Sequence, residues 1–244
     1  HDGLATLRAA ADGKIDLLVL VGADPLSDCP DVQLARRALG GARRIISIDT
    51  HPSESTKHAD VVLAAAAYGE KRGTTTNIEG RVSTLVDKVT TTGTARPDWM
   101  IAAELSLMLD LEGALAQVTS VEEVTSAIAA QVPGFSGVTL EALATDRNGV
   151  LAEVVPALLA PVTRRAGQRN SYDHRLVVSR KLYDRAVGTA MSHSIAKLAP
   201  GAGAHLHPLD VDALGANSGS DVQLIGERAT AILPVVANSA VPRG

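Results

Sequence analysis

Apolar and polar positions alternate in two different rhythms along this chain. In the first part, residues 4–11 have helical spacing with Asp2 as a cap, and "LLVLV" at 17–21 is a continuous apolar run of strand length. Such a run predicts a parallel strand covered on both faces. "DVQLARRAL" at 31–39 predicts a helix that stops at Gly40-Gly41. "RIISID" at 44–49 is a second buried strand, and a third starts at 61–63. Strand, helix and strand joined by short connections predict a doubly wound α/β sheet. Beyond it, 81–89 alternates loosely like a strand and 90–94 is a polar loop. A helix follows at 98–111, with Trp99, Ile101, Ala102, Leu105, Met108 and Leu109 approximating one apolar face. Ser120-Val121-Glu122-Glu123 has capping-box spacing and opens a helix that closes before Pro133.

From 161 to 172, "PVTRRAGQRNSY" turns polar and loses periodicity, which marks a linker. The second rhythm begins there. Short strand candidates at 176–179, 203–207, 221–226 and 229–236 are separated by a short helix at 209–214 and the turn Asn217-Ser218-Gly219-Ser220. Several short strands without long helices predict a small, β-rich barrel. The expected organisation is an α/β domain over 1–160, a linker over 161–172 and a barrel-like domain over 173–244.

Composition narrows the choices. Of 244 residues, 45% are apolar but only 2% aromatic, so Ala, Val, Leu and Ile must build the core. A net charge of −4 argues against gripping nucleic acid, which wants a basic face. The longest apolar runs fall far short of the roughly 20 residues of a membrane span. A single cysteine, Cys29, excludes an internal disulfide and any four-cysteine zinc or iron–sulfur site formed by this chain alone. The chain opens on His1 and ends on Pro242-Arg243-Gly244, so a piece of a longer polypeptide is expected, with the first domain incomplete and the second truncated.

In open α/β sheets, ligands bind beyond the carboxyl ends of the strands. The loops there are Gly22-Ala23-Asp24-Pro25 and Asp49-Thr50-His51-Pro52. Asp49 stands where a dinucleotide fold would set an acid against a ribose hydroxyl. Gly22 is alone where the dinucleotide fingerprint needs three glycines, which leaves Asp24 and Asp49 equally explained as turn-shaping acids. "GANSG" at 215–219 is no nucleophile elbow, because Ser218 is fourth in it and not third. His205 and His207 would share a strand face and could share a metal, yet no acidic third ligand follows, and a plain surface or core pair explains them better. His51 and His58 flank a loop containing Lys57, a setting suited to a turn more than to a metal. Cys29, between Asp28 and Pro30, reads as a small half-buried side chain before it reads as a nucleophile.

The most concentrated chemistry is "EKRGTTTNIEGR" at 70–81. Two glycines permit close backbone approach, Thr74–Asn77 offer donors and acceptors, and Arg81 could hold an anion or pair with Glu70 or Glu79. A ligand grip and a polar joint between strands both remain open. The "IEGR" inside it spells a protease-tag sequence, but its place between core-forming segments makes it native.

Ala59-Asp60-Val61-Val62-Leu63, Glu70-Lys71, Gly73-Thr74 and Asn77-Ile78-Glu79-Gly80-Arg81-Val82 together resemble a signature of the molybdopterin oxidoreductase superfamily. "RPDW" at 96–99 fits the same pattern. "HPLDVDALGANSGSDVQLIG" at 207–226 is similar to the start of that superfamily's C-terminal barrel, which binds the pterin dinucleotide. Within the superfamily, "LLVLVGADPLSDCPD" at 17–31 and the "EGR" ending look most like the G-subunit family of bacterial NADH:quinone oxidoreductase, respiratory complex I. That likeness implies a non-catalytic scaffold in the peripheral arm, on the cytoplasmic side of the membrane and touching it only through the complex. Other peripheral-arm subunits would be its partners, and iron–sulfur clusters would lie upstream, with no cofactor in this stretch. The alternative is the C-terminal half of a molybdopterin enzyme such as a formate dehydrogenase, in which Asp24, Asp49, Asn77 and Arg81 would touch the pterin dinucleotide. Departures from the superfamily pattern are Ala64 for proline, Thr75 for an aromatic, Asp24 for asparagine and His207 for asparagine. An acid in place of an amide beside a pyrophosphate adds like-charge repulsion, which supports a vacant site.

Overall fold

The computed structural model describes residues 2–110, 117–153, 174–179, 187–199, 201–226 and 229–244. The expected linker at 161–172 lies outside them. The chain divides into two compact units, His1–Leu159 and Ala160–Gly244.

The first unit opens with α1 (Gly3–Ala11), capped by Asp2, whose carboxylate accepts the Ala5 N–H at 2.7 Å. β1 (Leu17–Val21), α2 (Pro25–Asp28), α3 (Val32–Gly41), β2 (Arg44–Asp49) and β3 (Val61–Ala64) follow. The three strands are parallel, in the order β1-β2-β3, with Leu18 beside Ile45 and Ile46 beside Val61. Leu39 of α3 packs with Leu18, Leu20 and Ile45 on one face. Ile101 of α4 (Asp98–Met108) packs with Ile48 and Ala65 on the other, alongside Ile46, Leu63 and Leu105. Helices therefore cover both faces, but not all of each. β1 is buried only at Leu18 and Leu20, and Leu17, Val19 and Val21 stay about half exposed. The expectation of a strand covered on both sides is corrected: α4 reaches β2 and β3 and leaves that face of β1 open.

Gly40 and Gly41 are a second correction. They lie inside α3, whose C-cap is Ala42. A Cβ on Gly41 would sit 2.3 Å from the Ala10 carbonyl oxygen, so this glycine lets α3 meet the end of α1. α4 also ends at Met108, short of the expected 111, and of its proposed apolar face only Ile101 is buried. Met108 and Leu109 remain exposed.

β4 (Gly73–Thr76) and β5 (Arg81–Leu85) form an antiparallel hairpin, and β6 (Val150–Leu151) adds to β5. The sequence-based strand at 81–89 is thus shorter, and the threonines at 74–76 are a strand. β-branched side chains favour that conformation. Val82, 1% exposed, anchors this sheet against Val138 and Ala152, with Phe135, Leu143 and Val150 around them. α5 (Val121–Gln131) begins at the expected cap: Ser120 Oγ accepts the Glu123 N–H, while the Glu123 carboxylate reaches back one residue further and accepts the Thr119 N–H at 2.7 Å. α6 (Leu140–Thr145) is capped by Thr139.

In the second unit, α7 (Val187–Ala190) precedes β7 (Ala204–Leu206), α8 (Pro208–Ala213), β8 (Asp221–Ile225) and β9 (Thr230–Ala237). The sheet order is β7-β9-β8, with β7 parallel and β8 antiparallel to β9. Three of the four strand candidates form. The fourth, 176–179, has no regular structure, and its Leu176, Val177 and Val178 are exposed. The molecule is a mixed α/β protein with small sheets, and none closes among the described residues. The expected barrel is therefore not seen as a closed one.

Candidate ligand site at the strand ends

The loops beyond β1 and β2 lie at the carboxyl ends of the parallel strands. Gly22 adopts φ +55° as its N–H donates to the Ile48 carbonyl at 2.8 Å, which ties the end of β1 to β2. Asp24, 5% exposed, sits two residues on. Its Oδ1 accepts the Ser55 N–H at 3.2 Å and the Ser55 hydroxyl at 2.5 Å, and its Oδ2 accepts the Ser27 hydroxyl at 2.6 Å. Burial alone would raise this carboxyl's pKa, but the hydrogen bonds from Ser27 and Ser55 outweigh burial and hold it below the usual value.

Ser55 also accepts the Leu26 N–H at 3.1 Å on the same hydroxyl. Around it, Ser53 and Thr56 bond reciprocally: the Ser53 N–H donates to Thr56 Oγ1 at 2.8 Å, and the Thr56 N–H to Ser53 Oγ at 3.2 Å. Asp24, Ser53, Ser55 and Thr56 are four of the seven buried polar residues among those described. Sequence reasoning found Asp24 and missed its partner Ser55 and the neighbouring Ser53–Thr56 pair. Their signal was the run "PSEST" at 52–56, in which short hydroxyl side chains have backbone donors within reach.

Asp49 is half-buried and turned into its own loop, where Oδ1 accepts the Thr50 N–H at 2.7 Å and the His51 N–H at 3.4 Å. Asn77 and Arg81 belong to a different place, the β4–β5 turn. Asn77 Oδ1 accepts the Glu79 and Arg81 N–H groups, both at 2.9 Å. Gly80, at φ +81°, closes the turn, and Arg81 Nη1 donates to the Gly149 carbonyl at 2.9 Å. Ile78, at its tip, is fully exposed. The four sequence-derived site residues thus fall into two groups on two sheets.

Other candidates resolve more simply. Cys29 Sγ donates to the Asp31 carbonyl at 3.4 Å, and the side chain packs beside the Leu7–Leu34 cluster. His207 lies beyond β7 as the cap of α8, with Nδ1 accepting the Leu209 N–H at 3.1 Å. Lys57 pairs with Glu54 at 2.5 Å. Among the described residues, no group of three or more His, Cys, Asp and Glu side chains could hold a metal. A further buried acid, Asp210 of α8, escaped the sequence reading. Its pKa is lowered mainly by the Gly244 N–H at 3.0 Å, against burial and with help from Arg243.

Two clefts lie elsewhere in the first unit. One, of about 440 Å³, is lined by Glu70 and residues 87–91. The other, of about 250 Å³, lies between the β4–β5 hairpin and the helices α5 and α6, with Thr74, Leu85, Thr125 and Leu143 in its wall. Neither is lined by Asp24, Asp49, Asn77 or Arg81.

Comparison with known proteins gives the likeness. Residues 2–107 match the family described as molybdopterin oxidoreductase. It is 34% identical over 221 residues to the NADPH-Fe(3+) oxidoreductase subunit alpha of Geobacter sulfurreducens, covering 89% of this chain and 25% of the relative. It is 33% identical to the F420-dependent formate dehydrogenase 1 subunit alpha of Methanococcus maripaludis, over 57% of this chain and 21% of that one. The NADH-quinone oxidoreductase G subunit of Streptomyces coelicolor is 45% identical over a shorter stretch, 31% of this chain and 9% of the relative. Acetylene hydratase from Pelobacter acetylenicus shares the fold, with a TM-score of 0.68 and 16% identity over 98% of this chain and 38% of the other. The chain thus spans about a quarter of its Geobacter relative. Relatives of this domain are oxidoreductases, and several are named as subunits. Among the described residues, no helix is long and apolar enough to cross a membrane.

Proposed function

We propose that this chain is a scaffold portion of the G subunit of an NADH:quinone oxidoreductase, supporting iron–sulfur electron transfer carried by upstream sequence and by neighbouring peripheral-arm subunits. Residues 1–160 and 173–244 would be its α/β and barrel-type domains. One observation carries the reading: the polar residues best placed to grip a ligand are engaged within the chain. Asp24 is held by Ser27 and Ser55, Asp49 by its own loop, Asn77 by its turn, and Arg81 by Gly149. The one buried side-chain polar atom without a partner among the described residues is Ser47 Oγ, in the middle of β2 and not on these loops. A pterin dinucleotide fits this arrangement poorly, because its pyrophosphate would meet acids at both strand ends where it needs donors. The likeness to the Streptomyces coelicolor protein supports the same reading.

A second reading, a molybdopterin-dependent oxidoreductase such as a formate dehydrogenase, is favoured by the Methanococcus relative and by the position of the loops at parallel strand ends. In that case Asp24, Asp49, Asn77 and Arg81 would line the dinucleotide. Elemental analysis with pterin fluorescence on the intact native protein separates the two. The scaffold reading expects neither molybdenum nor tungsten nor pterin in stoichiometric amount. Finding metal and pterin together at one per chain would overturn it.

A further inference from the structure

We infer that Asp24 is an internal anion, a positioning residue whose carboxylate fills a donor cluster between the loops after β1 and β2 and thereby sets the path of residues 50–60. The connection from β2 to β3 has no α-helix, only a 3-10 turn at Thr56–His58. Parallel strands ordinarily need a crossover element that packs back on the sheet. Here polar groups take that role. Three donors converge on one buried carboxylate, and two of them come from Ser55, 31 residues away in sequence. The hydroxyl of Ser55, itself fully buried, passes the link onward by accepting the Leu26 N–H. At the other end of the connection, the Asp60 carboxylate accepts the Ile45 N–H at 2.8 Å, and the Asp60 N–H donates to the Ile45 carbonyl. The segment is thus pinned at both ends of the sheet by carboxylates.

A buried carboxylate with its donors satisfied is stable; the same donors without it are left unpaired and costly. Removing the carboxylate therefore unlatches the loop that carries Asp49 and His51, and a small carboxylate from solution can take its place. This inference rests on the scaffold reading only in giving these donors no external ligand.

The experiment is hydrogen exchange with mass spectrometry on the intact protein, comparing the parent with Asp24→Gly. Asp24 has φ −116°, which glycine adopts without strain. Peptides spanning 22–29 and 52–59 are expected to exchange about tenfold faster in the variant, the scale of losing charge-assisted hydrogen bonds. Acetate, which replaces the atoms removed, is expected to recover most of that protection in Asp24→Gly, while chloride at equal ionic strength is not. Unchanged exchange in the variant, or equal effects of acetate and chloride, would overturn the inference. If Asp24→Gly does not fold, Ser55→Ala serves in its place: it removes the acceptor of the Leu26 N–H, so faster exchange in 22–29 supports the latch and unchanged exchange refutes it. These outcomes do not depend on metal or pterin content, so failure of the latch and failure of the scaffold reading are separately visible.

Discussion

The β1–β2–β3 sheet contains two crossovers built on opposite principles. Between β1 and β2 the chain forms α3, which buries Leu34, Ala35, Ala38 and Leu39. Between β2 and β3 it forms almost no helix; there the buried Ser55 bonds Asp24 of the loop after β1, and the buried Ser53 and Thr56 bond each other. The first is held by non-directional burial, which tolerates conservative changes of shape. The second is held by directional bonds in a dry site, where each partner removed strands another. One sheet thus contains both a forgiving and an exacting connection.

Substitutions can break this contrast or sharpen it. The largest expected effect is Leu39→Ala, which empties a buried leucine site and costs about 3 kcal/mol, measured by denaturant unfolding. Gly41→Ala follows at about 2 kcal/mol, because the new methyl meets the Ala10 carbonyl backbone, which cannot rotate aside. Ser55→Ala removes far fewer atoms than Leu39→Ala, yet it is expected to cost about 1.5 kcal/mol by leaving Asp24 and the Leu26 N–H short of partners. A negligible cost for Ser55→Ala would mean that the second crossover is held some other way.

The smallest effect is a pH slope. Asp24 has a folded-state pKa below its ordinary value, so its stabilisation is complete above about pH 4 and is lost as pH falls through the lowered value. Below about pH 4 the parent should lose unfolding free energy more steeply than Asp24→Asn, which has no such proton to take up. Parallel acid profiles would contradict the assignment.

Sequence reading succeeded where an apolar run dictates one structure. Residues 17–21 and 44–49 are strands as their apolar runs predict, although 17–21 is buried on one face only, and 120–123 opens a helix. It went astray where one residue type serves two ends. Thr74–Thr76 looked like ligand donors because hydroxyls bond, but they are a strand because they are β-branched. Gly40-Gly41 looked like a helix stop, whereas Gly41 is a point of contact between helices. Leu176–Val178 has strand-like content without a strand partner among the described residues, and content alone does not make a ladder. The site was legible as positions, Asp24 and Asp49 at strand ends, and Asn77 and Arg81 at a turn. Their partners were not, because Ser55 meets Asp24 only after the sheet has formed.

β1 carries one more consequence. It lies at the end of the strand order, so among the described residues one hydrogen-bonding edge is unpaired within this sheet, and Leu17, Val19 and Val21 stand exposed beside that edge. An open edge and a greasy flank are what a foreign strand needs to join a sheet, so copies with nothing laid on β1 will stick to one another. A lysine in place of Val19 adds charge without disturbing Leu18 or Leu20, and is the change that should keep such copies dispersed.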